Sequence, residues 1–225
     1  NLRLHVAVEV DNDNNILPIP STSPSVYCSL PLIGFESMSL PFYINSNDFE
    51  PATERTSLYL KKKRFEIRTN EETDEEEQFY LQSGINWSIF ERSLSLYESV
   101  VDYLIDNGYN KRYNLINGLG NILNGAWGVE TKNCLASRYI LPLRNMLVQK
   151  NLVKTSEGYR SINSDVKFVE CSKDCDLHDF YEICKTIYGN NLAIEDENEN
   201  WVALKWGRFT FETDFDEKKP ESENL

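Results

Sequence analysis

The chain has 225 residues, 40% of them apolar and 26% charged, with a formal net charge of −13. That length supports one large domain or two small ones, with enough core to fold without disulfide staples. No run approaches eighteen apolar residues, so no stretch qualifies as a membrane-spanning helix, and the acidic balance repels phosphate backbones, which argues against nonspecific nucleic-acid binding.

No charged-then-apolar signal segment opens the chain. Five cysteines (Cys28, Cys134, Cys171, Cys175 and Cys184) form no regular framework. An odd count in a chain of this size favours free thiols and a reducing cytoplasm. The first residue is Asn1, not Met, and a strand-like pattern begins at once. This suggests a piece of a longer protein, although a processed terminus would look the same.

Residues 2–10 alternate, with Leu2, Leu4, Val6, Val8 and Val10 on one face, which predicts a half-buried strand. Asn and Asp at 11–15 predict a turn, and three prolines in 16–24 predict a loop. Three apolar runs follow: SVYCSL at 25–30, LPFYIN at 40–45 and SLYL at 57–60. Bounded by Gly, Pro, Asn and Asp, they read as strands joined by tight loops. Residues 61–69 continue as a strand with Phe65 and Ile67 inside a basic surround, its edge guarded by the basic cluster Lys61, Lys62, Lys63 and Arg64. The acidic run EETDEEE at 71–77 reads as a solvated, mobile loop. A calcium loop would interleave turn residues and a Gly, and this run has neither.

Residues 87–107 give the clearest helix, with Trp87, Phe90, Leu94, Tyr97, Val101 and Leu104 at three- and four-residue spacing and Asn107-Gly108 as the stop. A less regular helix is expected at 109–123, and a third at 130–149 with a kink at Pro142. Residues 152–169 read as a hairpin around Ser156, Glu157 and Gly158, and 178–188 as a short helix. Residues 191–199 are an acidic loop and 201–211 another apolar run. The fold expected is α+β: a mostly antiparallel or mixed sheet over 1–83, a helical region over 84–150, a small hairpin-plus-helix unit over 151–211, and a disordered acidic tail over 212–225.

Within the strand-rich part, one motif carries a resemblance. Tyr27, Cys28, residues 30–34 (LPLIG), 40–42 (LPF), 44–46 (INS), 49–51 (FEP), Glu54 and Arg55 resemble sacsin-type and related bacterial Hsp90-like ATPases, with a fainter echo at Asn86-Trp87. The likeness is specific over this motif and diffuse elsewhere. In that family the motif lies just after the GHKL nucleotide-binding domain. The resemblance therefore implies that ATP and Mg are held upstream, with no cofactor in this chain. It also implies that this segment couples nucleotide state to movement, with the upstream domain as first partner and protein clients or a second copy as others. It would have Arg55, with Asn45 nearby, approach the γ-phosphate, where a planar guanidinium stabilises transition-state charge. The plainer readings are an Arg55 paired with Glu50 or Glu54 at the surface and an Asn45 that caps a turn.

The sequence holds no nucleotide site of its own. A GHKL site needs a helix with Glu and Asn, a DxGxG loop and a Gly-rich lid, and none occurs in order. Gly118, Gly120, Gly125 and Gly128 follow a helix-like segment rather than the strand a phosphate loop requires. Cys171, Cys175 and His178, with Cys184 as the nearest fourth group, are weak candidates for a metal because the spacer is three residues and a second ligand pair is missing. The two histidines, His5 and His178, have no marked nucleophile beside them. An alternative function is a winged-helix adaptor or nucleic-acid-binding module: residues 138–168 have the order helix then hairpin, with Arg138, Arg144, Lys150, Lys154, Arg160 and Lys167 as its basic residues.

Overall fold

The alternation at the N-terminus becomes strand β1 (His5–Ala7) and strand β2 (Glu9–Val10). Leu2, Leu4, Val6 and Val8 pack against the core, while Val10 turns outward. The structure is a computed structural model that describes residues 2–32, 35, 38, 40–52, 57–61, 64–69, 76–117, 128–164, 166–169 and 177–194. After β2 the Asp11 carboxylate accepts the backbone N–H groups of Asp13 and Asn15 at 2.9 and 2.8 Å and the Asn15 side-chain amide at 2.9 Å. The bond from the Asn15 amide is the main cause that holds the Asp11 carboxyl below its ordinary range. The turn returns the chain as strand β3 (Ile16–Leu17), antiparallel to β2. Part of the expected loop is thus a strand, because Ile16 is buried and its carbonyl accepts the Asn114 side-chain amide at 2.8 Å.

Strands β4 (Val26–Cys28), β5 (Leu30–Pro31) and β6 (Tyr43–Asn45) join β1 in a four-stranded mixed sheet of order β1-β6-β4-β5. β6 is antiparallel to β1 and parallel to β4, and β5 is antiparallel to β4. Val26, Cys28 and Ile44 on its inner face are buried with Leu32, Leu40 and Phe42. The third expected strand, SLYL, is not one. Leu58 and Leu60 are buried, but only the bridge Pro51↔Leu58 forms there, and the Tyr59 and Lys61 carbonyls accept from helix side chains instead of a neighbouring strand.

Strand β7 (Phe65–Thr69) pairs antiparallel with β8 (Glu76–Tyr80), so Glu76 and Glu77 of the expected acidic loop belong to a strand. Along β7 Phe65 and Ile67 are exposed, whereas Glu66 is half-buried. A period of two cannot say which face is inside when the ribbon has only two strands.

Helix α1 (Gln82–Asp106) spans 25 residues and begins five earlier than its apolar periodicity. Its stripe of Trp87, Phe90, Tyr97, Val101 and Leu104 is buried, and Gly108 ends it at φ 74°. Phe42 stacks on Tyr97 with centroids 3.9 Å apart, and Phe90 meets Phe49 and Tyr139 at 5.6 and 5.1 Å. The Tyr97 hydroxyl donates to the Leu115 carbonyl at 2.7 Å, and Ser93 and Tyr139 share a hydrogen bond of 3.0 Å. Burial pushes both phenols well above their ordinary pKa.

The expected helix at 109–123 is reduced, among described residues, to a 3₁₀ turn at Arg112–Leu115. The third helix is one rod in three parts: helix α2 (Val129–Leu135), a π-helical stretch (Ala136–Ile140) and helix α3 (Leu141–Leu147). The widened stretch ends at Ile140, two residues before Pro142. A proline there lacks the N–H that would bond the Arg138 carbonyl and its ring crowds that carbonyl, so the ladder loosens at this point.

Past α3, the Lys150 ammonium contacts Asp102 at 2.7 Å and Glu98 at 3.0 Å, fastening the rod to α1. Burial pulls the Lys150 pKa down, but its bonds to Asp102 and Glu98 outweigh this and leave it above the ordinary lysine value. The contribution is present below the unfolded lysine value of about 10.4 and is lost as pH rises through the folded value. Because both acids are half-exposed, Lys150→Met is expected to cost about 0.5–1 kcal/mol at pH 8. Melts at pH 8 and above pH 11 should show that gap closing; a gap that stays constant would mean the charge is irrelevant.

Strands β9 (Asn151–Thr155) and β10 (Gly158–Ser161) form the predicted hairpin, with Ser156-Glu157 as the turn and Gly158 at φ 114°. Helix α4 (Leu177–Tyr188) and a 3₁₀ turn (Gly189–Asn191) follow. Leu192 then bridges Lys167, and Ala193 bridges Thr155. One contiguous buried cluster runs from Ile16 to Ala193 and includes Leu115, Leu143, Leu152 and Val153.

Candidate functional site

Of the motif residues Cys28, Leu32, Leu40, Phe42, Ile44 and Phe49 are buried, whereas Leu30 and Pro31 are exposed, and the motif leads into the segment that carries Arg55. Asn45 is in the middle of the sheet, paired with His5 on one side and Tyr27 on the other. Its Oδ1 accepts the backbone N–H of Ser29 at 3.2 Å, and Ser29 holds a left-handed φ of 61° between β4 and β5. Asn45 therefore stabilises a turn that a non-glycine residue adopts only at a cost. Next to it, Ser46 donates from Oγ to the Arg3 carbonyl at 2.7 Å, and the Asp48 carboxylate accepts the Arg3 N–H at 2.7 Å.

From Phe49 onward the chain is clamped by the first turns of α1. Phe49 is buried against Phe90. Asn86, fully buried, accepts the Glu50 N–H at 2.8 Å and donates from Nδ2 to the carbonyls of Glu50 at 2.9 Å and Tyr59 at 3.1 Å. Trp87 donates from Nε1 to the Lys61 carbonyl at 3.1 Å. Between these anchors, the Ala52 N–H donates to the Ser57 carbonyl at 2.9 Å and Pro51 bridges Leu58. Two adjacent helix residues thus hold both flanks of residues 53–56. Arg55 itself lies outside the described residues, as does Glu54.

The amide of Asn86 uses its acceptor and both donor hydrogens across a chain separation of 27 to 36 residues. The sequence marks the position only as the fainter echo Asn86-Trp87; an Asn inside a helical stripe was the available signal, because such a residue disfavours helix unless its side chain is used elsewhere.

The other candidates are dispersed. Cys171 and Cys175 lie outside the described residues, His178 is exposed on the first turn of α4, and Cys184 is buried on that helix. Among the described residues no group of three or more His, Cys, Asp or Glu side chains is placed to hold a metal ion. His5 sits on β1, on its exposed side. A groove of about 590 Å³ follows one face of the α2 rod, lined by Val129, Glu130, Asn133, Cys134, Ser137 and Arg138. The Arg138 guanidinium lies 5.7 Å from the Trp87 ring centroid, in the range of a cation–π contact. Of the glycine-rich stretch only Gly128 is described, and it precedes α2 without a side-chain cap.

The basic residues of the helix-then-hairpin region are engaged within the fold. Lys150 is held by Asp102 and Glu98, and Arg160 by Glu157 and Asn191 at 2.5 and 2.8 Å. No helix among the described residues is long and apolar enough to cross a membrane. The chain matches no protein-family model, no curated protein and no solved structure.

Proposed function

We propose that this chain is the coupling segment that follows the nucleotide-binding domain of an Hsp90-like, sacsin-type ATPase, and that residues 53–56 carry Arg55 toward the γ-phosphate of ATP held in that preceding domain. The chain alone hydrolyses nothing. ATP and Mg belong to the upstream GHKL domain, and the whole polypeptide works in the cytoplasm on protein clients or as a homo-oligomer. One observation carries the reading: the motif residues that resemble the family end in a short segment whose two flanks are pinned to α1 by Asn86 and Trp87. An arginine that must meet a phosphate needs such a fixed base, because small misplacements cost orders of magnitude in rate. Coupling then arises when the domain upstream contacts this segment differently with and without nucleotide.

The test is ATP turnover by the complete polypeptide. Arg55→Ala is expected to lose about tenfold or more in turnover while ATP binding persists, with Arg55→Lys only partly restoring it. Unchanged turnover would make Arg55 structural. A polypeptide without any ATPase activity would remove the reading and favour the winged-helix adaptor. That second reading rests on the helix-then-hairpin order of α3, β9 and β10. It is disfavoured by Lys150 and Arg160, whose charges are already matched by acids.

A further inference from the structure

Three features of the fold meet at Arg138. It lines the groove beside the α2 rod, together with Val129, Glu130, Asn133, Cys134 and Ser137. It belongs to the π-helical stretch, a rare helical form that is frequently met at functional sites. Its Nη1 is buried and has no hydrogen-bond partner among the described residues. A buried N–H of a cation left unpaired is costly, and an acceptor brought by a ligand removes that cost.

The support beneath the guanidinium is rigid. Its central carbon lies 5.7 Å from the ring centroid of Trp87, which is fully buried and held through Nε1 by the Lys61 carbonyl at 3.1 Å. A guanidinium stacked on an aromatic ring presents its N–H groups as a planar fork, which matches the two oxygens of a carboxylate. The remaining lining residues bear on what the carboxylate is attached to. Glu130, Asn133, Cys134, Ser137 and Arg138 recur at i, i+3, i+4, i+7 and i+8 along the groove. Eight residues of helix rise about 12 Å, and three residues of extended peptide cover about 10 Å. Ser137 spends its own proton on the Asn133 carbonyl at 2.8 Å and keeps its lone pairs for an incoming N–H. Glu130, exposed at the far end, is an acceptor for an ammonium. It also argues against a phosphate. Its charge offsets that of Arg138, and a phosphate group brings close to two negative charges with no second cation among the described lining residues to meet them.

We propose that this groove binds a short extended peptide with a free C-terminus, its carboxylate on Arg138 and its ammonium toward Glu130. The probe is trialanine, titrated into the full chain without nucleotide, so the outcome is separate from that of the Arg55 test. The readout is the Arg138 Nε–H resonance and the backbone amides of residues 129–138. Saturable shifts in the millimolar range are expected, with trialaninamide at least about tenfold weaker because it lacks the charged acceptor. Acetyl-trialanine should bind more weakly than trialanine, since it cannot place a charge beside Glu130. Arg138→Met, which keeps the stem over Trp87, should abolish the shifts while the amides of β6 and β9 stay in place. If that variant fails to fold, the comparison of acid with amide on wild type still decides. Absence of saturable shifts, equal binding of the amide, or binding that survives Arg138→Met overturns the proposal. So does tighter binding of inorganic phosphate, which would make the groove a phosphate site, or equal binding of acetyl-trialanine, which would assign it to the tail of a longer chain.

Discussion

Asn86→Ala is expected to lower the unfolding free energy by about 3 kcal/mol. The side chain is fully buried, and its loss takes a partner from the Glu50 N–H, the Glu50 carbonyl and the Tyr59 carbonyl at once. Each buried group left unmatched costs about 1–3 kcal/mol, and the half-buried state of Glu50 and Tyr59 keeps the sum near the lower end of that range. Denaturant unfolding at constant m-value reads the loss. Asn86→Asp refines it. The carboxylate still accepts the Glu50 N–H but turns an anion toward two carbonyl oxygens, so the fold favours its protonated form. A group whose folded pKa is raised loses stability as pH climbs, so this variant should approach wild type near pH 4 and fall behind by pH 7. The local readout is exchange at Ala52, whose N–H closes onto Ser57. If Asn86→Ala costs less than about 1 kcal/mol, or leaves Ala52 protected, the first turns of α1 do not fix the flanks of Arg55.

Why Asn86 escapes a sequence reading follows from what periodicity reports. The stripe from Trp87 to Leu104 announces a helix because apolar side chains recur on one face. The first turn, Gln82 to Asn86, contains Ser and Gly and has no side-chain N-cap. It is helical because Ser83, Gly84 and Asn86 are buried against other parts of the chain. The same kind of override hides β3, where Ile16 follows a turn and precedes three prolines yet pairs with Val10. It creates the opposite error at SLYL, where Leu58 and Leu60 are core but the Tyr59 carbonyl accepts from Asn86 and the following Lys61 carbonyl from Trp87. The α+β class, the α1 stripe and the β9–β10 turn were legible because each is set by residues close in sequence. The flanks of Arg55 were not, since they are joined by a side chain from another element. The face of β7 was not, since alternation is symmetric until something packs on one side.

Arg112→Ala is the second large effect, expected at about 3 kcal/mol. Arg112 is the one charged side chain among the described buried polar residues, 8% exposed, and its guanidinium is surrounded by carbonyls from three places. Nε donates to Tyr109 at 2.9 Å, Nη1 to Asn151 at 3.0 Å and Nη2 to Ile105 at 3.2 Å. The Tyr159 ring lies 4.0 Å from its central carbon. Burial lowers its pKa, opposed by Tyr159 and Asp106, and an arginine so placed stays charged. A cation is well placed there, because the carbonyls at the end of α1 carry the negative end of the helix dipole. The same contacts attach β9 and β10 to α1, so the effect should not be uniform. Exchange over residues 151–161 is expected to quicken more than exchange in β6. Arg112→Lys should recover less than half of the loss, since one ammonium cannot reach three carbonyls and cover the Tyr159 ring. Arg112→Met keeps the stem and separates packing from hydrogen bonding. Should Arg112→Lys match wild type, the charge alone anchors the hairpin. Should both variants melt like wild type, the hairpin is held by Leu152 and Val153 in the core and the guanidinium merely fills space.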